Sequence, residues 1–238
     1  PSVTVKQAVA QADPTNTGPI NFTVTFSEQV FGFTNTDVVF SGTATGTLTA
    51  TVTGAGPIYN VAVNGMTGSG TVIVTIPAGA VQDVAGNGNT NSTSTDNVVT
   101  YDNVAPTVTV NQAAGQVDPT NASPIDFTVV FSEPVFGFAP ADITLGGTAG
   151  ATTAVITGAG PTYNVAVSGM TGSGTVIVTI GANVVTDAAG SNNTASISTD
   201  NTVTFDNTAL TVTINQAAAQ VDPTNTSPIN FTVVFSKP

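Results

Sequence analysis

Apolar and polar residues alternate along short segments of the chain. Residues 20–26, INFTVTF, place an apolar side chain at every second position, and residues 59–63 and 98–101 follow the same pattern. Successive side chains of a β-strand point to opposite faces, so this spacing predicts strands that bury one face. No segment shows sustained helical spacing, and the chain is therefore predicted to be all-β.

Turn-forming sequences divide the first 105 residues into short strands. Glycine, proline, asparagine and aspartate gather at residues 13–16, 54–57, 64–70 and 83–91. The strands predicted between and beside these turns lie near residues 2–6, 19–27, 37–41, 47–53, 58–64, 70–76 and 96–102. About seven short strands in this length are typical of an immunoglobulin-like β-sandwich.

The chain is a tandem series of copies of one sequence. Residues 1–105 recur as residues 106–209, and residues 210–238 begin a third copy. Each full copy is long enough to bury its own core, so we predict two Ig-like domains followed by the first strands of a partial third repeat. We expect either that the chain continues or that another chain completes this part. An odd number of alternating strands predicts repeats joined head to tail as a rod.

One residue separates the lengths of the two full copies. The difference falls between Gly42 and Gly54, and we place it in the loop region after the third predicted strand. Insertions concentrate in loops, so this position supports the map.

Charge and composition exclude several classes of partner and of site chemistry. Fourteen acidic residues face only two basic ones, Lys6 and Lys237, for a net charge of −12, and this argues against nucleic acid as a partner. Cysteine, histidine and tryptophan are absent, which removes thiol nucleophiles, imidazole bases and zinc-type sites. No apolar stretch is long enough to insert into a membrane. Divalent cations are the natural partners of a surface this rich in acidic residues.

Several short motifs recur in order in each copy. FSEQV at residues 26–30 matches FSEPV at 131–135, DVAGN at 83–87 matches DAAG at 187–190, and DNVAP follows at 102–106. These motifs resemble those of bacterial Ig-like repeats in large secreted or cell-surface adhesins. The resemblance implies a β-sandwich, an extracellular setting and, in many relatives, bound calcium.

Two positions depart from the motifs. Ser191 stands where the first copy has asparagine, a change that we expect to be mild because serine is also polar. Lys237 stands where the earlier copies have glutamate. A cation at this position predicts a second joint that is either free of metal or bridged by the ammonium group itself.

The acidic residues lie mainly in turns and at strand ends. If successive strands reverse direction, Asp13 and Asp102 approach the second copy at the first junction, where Glu133, Asp142, Asp187 and Asp200 would meet them. Calcium suits such a place because it accepts six to eight oxygen ligands in loose geometry. The candidate metal ligands over the whole chain are Asp13, Glu28, Asp37, Asp83, Asp96, Asp102, Asp118, Glu133, Asp142, Asp187, Asp200 and Asp206.

Two other interpretations of these acids stay open. Calcium could lie wholly inside each repeat, or the acids could simply cap turns and solvate linkers.

The VFGF segment after the second predicted strand carries two phenylalanines in each full copy. Phe31 and Phe33, matched by Phe136 and Phe138, could form an exposed adhesive patch. We favour the alternative that the segment tucks under the sandwich and closes the core.

These features predict a non-enzymatic, extracellular structural or adhesive repeat, a calcium-stiffened spacer rod of a large surface protein. Its partners would be neighbouring repeats, with a cell-surface or glycan ligand left open. One alternative is a subunit of a self-assembling filament or sheath, in which the partial repeat pairs with another copy by strand addition. A third is an accessory module of a carbohydrate-active enzyme. A hydrolytic carboxylate pair is disfavoured because aromatic platforms are scarce.

Overall fold

Strands account for the regular structure of the chain, as the alternation predicts. The computed structural model describes residues 1–237, in which the only helical segments are two single 3-10 turns, Asn35–Asp37 and Pro140–Asp142. The all-β prediction is therefore confirmed. The strands of the first repeat are β1 (Val3–Gln7), β2 (Ile20–Phe26), β3 (Val39–Gly42), β4 (Thr45–Ala55), β5 (Ile58–Gly68), β6 (Gly70–Thr75), β7 (Thr93–Asp96) and β8 (Val98–Tyr101). Those of the second and third are β9 (Val108–Gln112), β10 (Ile125–Phe131), β11 (Ile143–Gly146), β12 (Thr153–Ala159), β13 (Thr162–Ser168), β14 (Gly174–Ile180), β15 (Thr202–Phe205), β16 (Val212–Gln216) and β17 (Phe231–Phe235).

Each full repeat consists of two sheets that share one apolar core. In the first repeat the sheets have the strand orders β4-β5-β2-β1-β7 and β3-β6-β8, and in the second β12-β13-β10-β9 and β11-β14-β15. The register places Val5 opposite Val24 and Val24 opposite Tyr59, so buried side chains form rows on one face. Burial of alternate residues in β2 follows directly from its sequence pattern.

An aromatic cluster closes each core and separates the two phenylalanines of the VFGF segment. Phe33 packs edge-on against Phe26 and Tyr59, with ring centroids 5.4 and 5.0 Å apart. Its counterpart Phe138 makes the same contacts in the second repeat. Phe31, in contrast, is 56 % exposed. The expected core plug therefore holds for the second phenylalanine of the segment and is wrong for the first.

The first repeat ends in two short strands, one in each sheet: β8 corresponds to the strand predicted near residues 96–102, whereas β7 before it was not predicted. β7 pairs in parallel with β1, whereas β8 pairs antiparallel with β6, so the chain crosses from one sheet to the other at Asn97. The Asn97 side chain marks the crossing by donating from Nδ2 to the carbonyl oxygen of Val74 at 2.8 Å. Periodicity does not reveal this change of sheet, because β7 has the sequence TSTD and contains no apolar residue.

The length difference between the repeats lies mostly in a strand, contrary to our assignment of a loop. β4 begins at Thr45 and runs through the region, and its register with β5 is irregular between Thr45 and Thr49. The shorter β12 pairs with β13 without such a shift. A bulged strand end, as well as a loop, accommodates an extra residue.

The partial third repeat forms a two-stranded antiparallel hairpin of β16 and β17. Its apolar residues correspond to core residues of the full repeats. Phe231 is 62 % exposed, while its counterparts Phe22 and Phe127 are fully buried. Equal sequence thus gives opposite burial, because only the full repeats provide the second sheet.

This contrast predicts a large difference between equivalent substitutions. Phe22→Ala leaves a cavity in a complete core and should lower the free energy of unfolding of the first repeat by about 3–5 kcal/mol. Phe231→Ala, the matched control, should change the unfolding of the two full repeats by less than about 0.5 kcal/mol. Urea denaturation of the full chain measures both, and equal losses would contradict the burial described above.

Candidate metal centre

The candidate site begins in a tight turn of the second repeat, at residues 187–191. The Asp187 Oδ1 atom accepts the backbone N–H of Ser191 at 2.8 Å, and the backbone N–H of Asp187 donates to the Ser191 carbonyl oxygen at 3.1 Å. Gly190 has φ of 89°, a left-handed conformation that glycine adopts without steric cost. The turn therefore fixes the direction of the Asp187 carboxylate.

The equivalent turn of the first repeat ends in asparagine and satisfies its aspartate completely. Asp83 Oδ1 accepts the backbone N–H groups of Ala85 and Asn87 at 2.8 and 2.9 Å, and Oδ2 accepts Nδ2 of Asn87 at 2.9 Å. These hydrogen bonds, led by that of the Asn87 side chain, lower the pKa of Asp83 below its ordinary value. Both oxygens of this carboxylate have partners.

Serine in place of asparagine leaves one oxygen of Asp187 free. Asp187 is only 4 % exposed, and within residues 1–237 its Oδ2 atom has no hydrogen-bond partner. A buried carboxylate oxygen without a donor is costly, because the water it lost is not replaced. The change at Ser191 that we expected to be mild therefore removes the amide donor that caps the aspartate in the first repeat.

Contacts from the first repeat bury this turn. The backbone N–H of Asn16 donates to the carbonyl oxygen of Ala189 at 3.1 Å, and Nδ2 of Asn16 donates to Ser191 Oγ at 3.3 Å. Ser191 Oγ in turn donates to the carbonyl oxygen of Asp102 at 3.3 Å. We call the contact of Asn16 and Asp102 with Glu133 and residues 187–191 the first joint.

The linker holds Asp102 at the first joint by hydrogen bonds to the first repeat. Its backbone N–H donates to the carbonyl oxygen of Thr15 at 2.9 Å. Its Oδ1 atom accepts the Ser69 hydroxyl at 2.8 Å and the Val104 backbone N–H at 3.1 Å. Asp102 is thus part of the first repeat by its bonding, although it faces the second.

Three carboxylates from the two repeats converge at the first joint. One oxygen each from Asp102, Glu133 and Asp187 lies within 4.8 Å of the others. Oxygens bound to one calcium ion at about 2.3–2.6 Å can be at most about 5 Å apart, so a single ion can reach all three. Burial, followed by the negative charges of Asp187 and Asp102, raises the pKa of Glu133 above its ordinary value.

The structure brings together three of the six carboxylates that the sequence places at this junction. Asp13 lies outside the cluster, where its Oδ1 atom accepts the backbone N–H of Thr100 at 2.9 Å. Asp142 is also outside, and its Oδ2 atom accepts the backbone N–H of Ala139 at 2.8 Å. Asp200 is exposed at a strand crossing. The reversal of strands predicts which end of a repeat an acid occupies but not whether a nearby backbone N–H holds it.

The other candidate ligands do not join a metal-sized cluster within the described chain. Those that accept backbone N–H groups, as turn-capping acids do, are Asp37, Asp83, Asp118 and Asp206. Glu28 lies 3.4 Å from the amino group of Pro1, and Asp96 is exposed in β7. Asp206 is bonded to Lys237. For Asp37, Asp83 and Asp118, the turn interpretation describes the contacts better than the metal interpretation.

Two residues that build the joint were not among the candidates. Ser191 and Asn16 contribute no charge; the sequence signals Ser191 through the serine-for-asparagine difference between the copies, and nothing singles out Asn16, which is asparagine in both. Asn16 donates from its side-chain nitrogen across the joint.

Comparison with known families agrees with the geometry. The description "bacterial Ig-like domain" matches residues 1–100 and again residues 102–205. The chain belongs to this family. The two matched segments correspond to the two sandwiches, while the boundaries at residues 105 and 209 stay predictions. A search of curated proteins finds no match to this bacterial Ig-like chain. Among its described residues no helix is long and apolar enough to cross a membrane.

Repulsion at the first joint predicts an unusual effect of removing a charge. In EDTA at neutral pH, Glu133→Gln should raise the melting temperature of the second repeat, because it relieves repulsion among three carboxylates. Glu28→Gln, at the equivalent position outside the cluster, should give no rise. Differential scanning calorimetry measures both variants, and a lower melting temperature for Glu133→Gln would show that repulsion does not dominate there.

Proposed function

We propose that this chain is a segment of a non-enzymatic, extracellular spacer array in which calcium at the first joint fixes one repeat against the next. The observation that carries the proposal is the buried Asp187 carboxylate, which has one oxygen without a hydrogen-bond partner and lies in a cluster with two carboxylates of different origin. Asp102 comes from the first repeat and Glu133 from the second. An ion bound by all three therefore cross-links the repeats.

The chemistry of the site favours calcium over other divalent metals. The available ligands are carboxylate oxygens, with carbonyl oxygens nearby, and the chain has no histidine or cysteine to attract zinc or copper. Calcium also tolerates irregular geometry and completes its shell with water. Ligands divided between two repeats suit such an ion because the joint can adjust to it.

A spacer role agrees with the rest of the chain. Two copies of the same sandwich, with nearly identical cores, provide length rather than a single specific pocket. Several acidic residues of the repeats lie in turns, where they accept backbone N–H groups. Bacterial Ig-like domains are typical of surface proteins, which supports an extracellular setting for the array.

The calcium proposal predicts a shift that depends on one carboxylate. Calcium at about 100 times its Kd should stabilise the joint by about 2.7 kcal/mol, and a Kd of about 10⁻⁴–10⁻³ M is typical of extracellular modules. Asp187→Asn keeps an oxygen for the Ser191 N–H but should lose most of this calcium shift. Calorimetric titration and melting temperature with and without EDTA measure the effect.

The first repeat offers a matched control for this experiment. Asp83→Asn changes the equivalent aspartate, which Asn87 already caps, and should leave calcium binding unchanged. Absence of binding heat together with an unchanged melting temperature in the wild-type chain would contradict the calcium site.

A second candidate function is assembly into a filament through the β16–β17 hairpin. The hairpin exposes an apolar face that includes Ile214, Phe231 and Val233, and a strand from another copy could add to its edge. Regular fibres in electron micrographs of the purified chain would favour assembly. Separate particles of one chain would favour the spacer.

A further inference from the structure

The second joint carries a lysine where the first has a glutamate. Lys237 corresponds to Glu133 in the FSEP motif, and Asp206 corresponds to Asp102 in the linker. The exchange reverses one charge at an otherwise repeated position. The contacts of Lys237 therefore show how the second joint differs from the first.

The lysine reaches directly across the second joint. Its Nζ atom lies 2.5 Å from Asp206 Oδ2 and donates to the carbonyl oxygen of Thr208 at 2.9 Å. The other oxygen of Asp206, Oδ1, accepts the Ser173 hydroxyl at 3.2 Å and the Thr208 backbone N–H at 2.9 Å. Both oxygens of this aspartate are thus satisfied by protein groups.

The two joints share one framework and differ in their cation. Ser69 and Ser173 are equivalent and each donates its hydroxyl to the linker aspartate. At the first joint the remaining groups are two further carboxylates, Glu133 and Asp187. At the second, an ammonium group occupies the position of one of them and bonds the aspartate and a carbonyl oxygen, the ligand types that calcium takes.

We propose that Lys237 is a built-in cation that closes the second joint without metal, so that the array contains joints of two chemical kinds. The comparison with the first joint rests on the proposed calcium site, whereas the lysine bridge itself does not. A tethered ammonium is always present, and chelation cannot remove it. Both partners are about one-third exposed, at 34 % and 38 %, so dissolved salt should weaken their attraction.

The second joint can be tested without calcium. In EDTA and low salt, Lys237→Met should increase the fast motion of linker residues 208–211, measured by ¹⁵N relaxation of the full chain. Lys237→Arg keeps the charge and should preserve the wild-type order. Wild-type order that falls on chelation, or a Lys237→Met linker as rigid as the wild type, would overturn the lysine bridge.

The first joint allows the reverse exchange. Hydrogen exchange of the Asn16 amide reports closure directly, because this N–H donates across the joint to Ala189. In EDTA, Glu133→Lys should slow this exchange several-fold relative to Glu133→Gln, which removes the charge without adding a cation. The gain should shrink as NaCl is raised, and calcium should no longer affect the variant. Equal hydrogen exchange of the Asn16 amide in Glu133→Lys and Glu133→Gln would overturn the proposal that a lysine can replace the metal at this joint.

The two experiments separate the proposals. If the wild-type first joint ignores calcium while Lys237→Met loosens the second, the calcium site fails and the lysine bridge stands. If calcium protects the Asn16 amide in the wild type but Lys237→Met has no effect, the lysine bridge fails and the calcium site stands.

Discussion

The shortage of positive charge is the constraint on which the turns and joints of this chain depend. Fourteen acids share two lysines, so most carboxylates must be satisfied without a salt bridge. Asp13 and Asp118 do so through backbone N–H groups of a neighbouring strand, and Asp37 through the N–H of Thr34. Each such hydrogen bond satisfies the carboxylate and stabilises a turn without a positively charged partner.

A carboxylate oxygen that lacks a hydrogen-bond donor is left available to a cation. Asp83 and Asp187 occupy the same turn, yet only the first has an asparagine amide on its second oxygen. The difference is one side chain, Asn87 against Ser191. Contact with the first repeat then excludes water from Asp187. Because the oxygen without a hydrogen-bond partner is buried, a cation beside it would be strongly favourable.

Much of the fold could be predicted from sequence because it depends on local periodicity. Alternation located β2 and the first part of β5, whereas β5 continues to Gly68 through residues that we predicted to be a turn. The crossing at Asn97 could not be found in this way, since β7 contains no apolar residue and therefore shows no alternation. The exposure of Phe31 beside the buried Phe33 likewise depends on which ring meets Phe26 and Tyr59.

The candidate site was only partly predictable, for a different physical reason. Sequence order placed acids near the junction, but hydrogen bonding decides which of them remain available. Asp13 and Asp142 are taken by backbone N–H groups, whereas Asp102 uses one oxygen for its own linker and still faces the second repeat. The motif departure at Lys237 was more informative, because a lysine at this position needs oxygen acceptors, and an acid of the linker, Asp206, supplies one.

The separation of core and joint explains how one repeat can serve at differing joints. Phe22 and Phe127 are the same residue at the same position of the two full copies, and both are fully buried, so the two cores make the same demand on packing. The residues that differ at the joints lie in turns and linkers, outside both cores. Substitutions there change charge and hydrogen bonding at the contact while the sandwich is unaffected. Joint chemistry can therefore vary from copy to copy at little cost in stability, as the proposed spacer array requires.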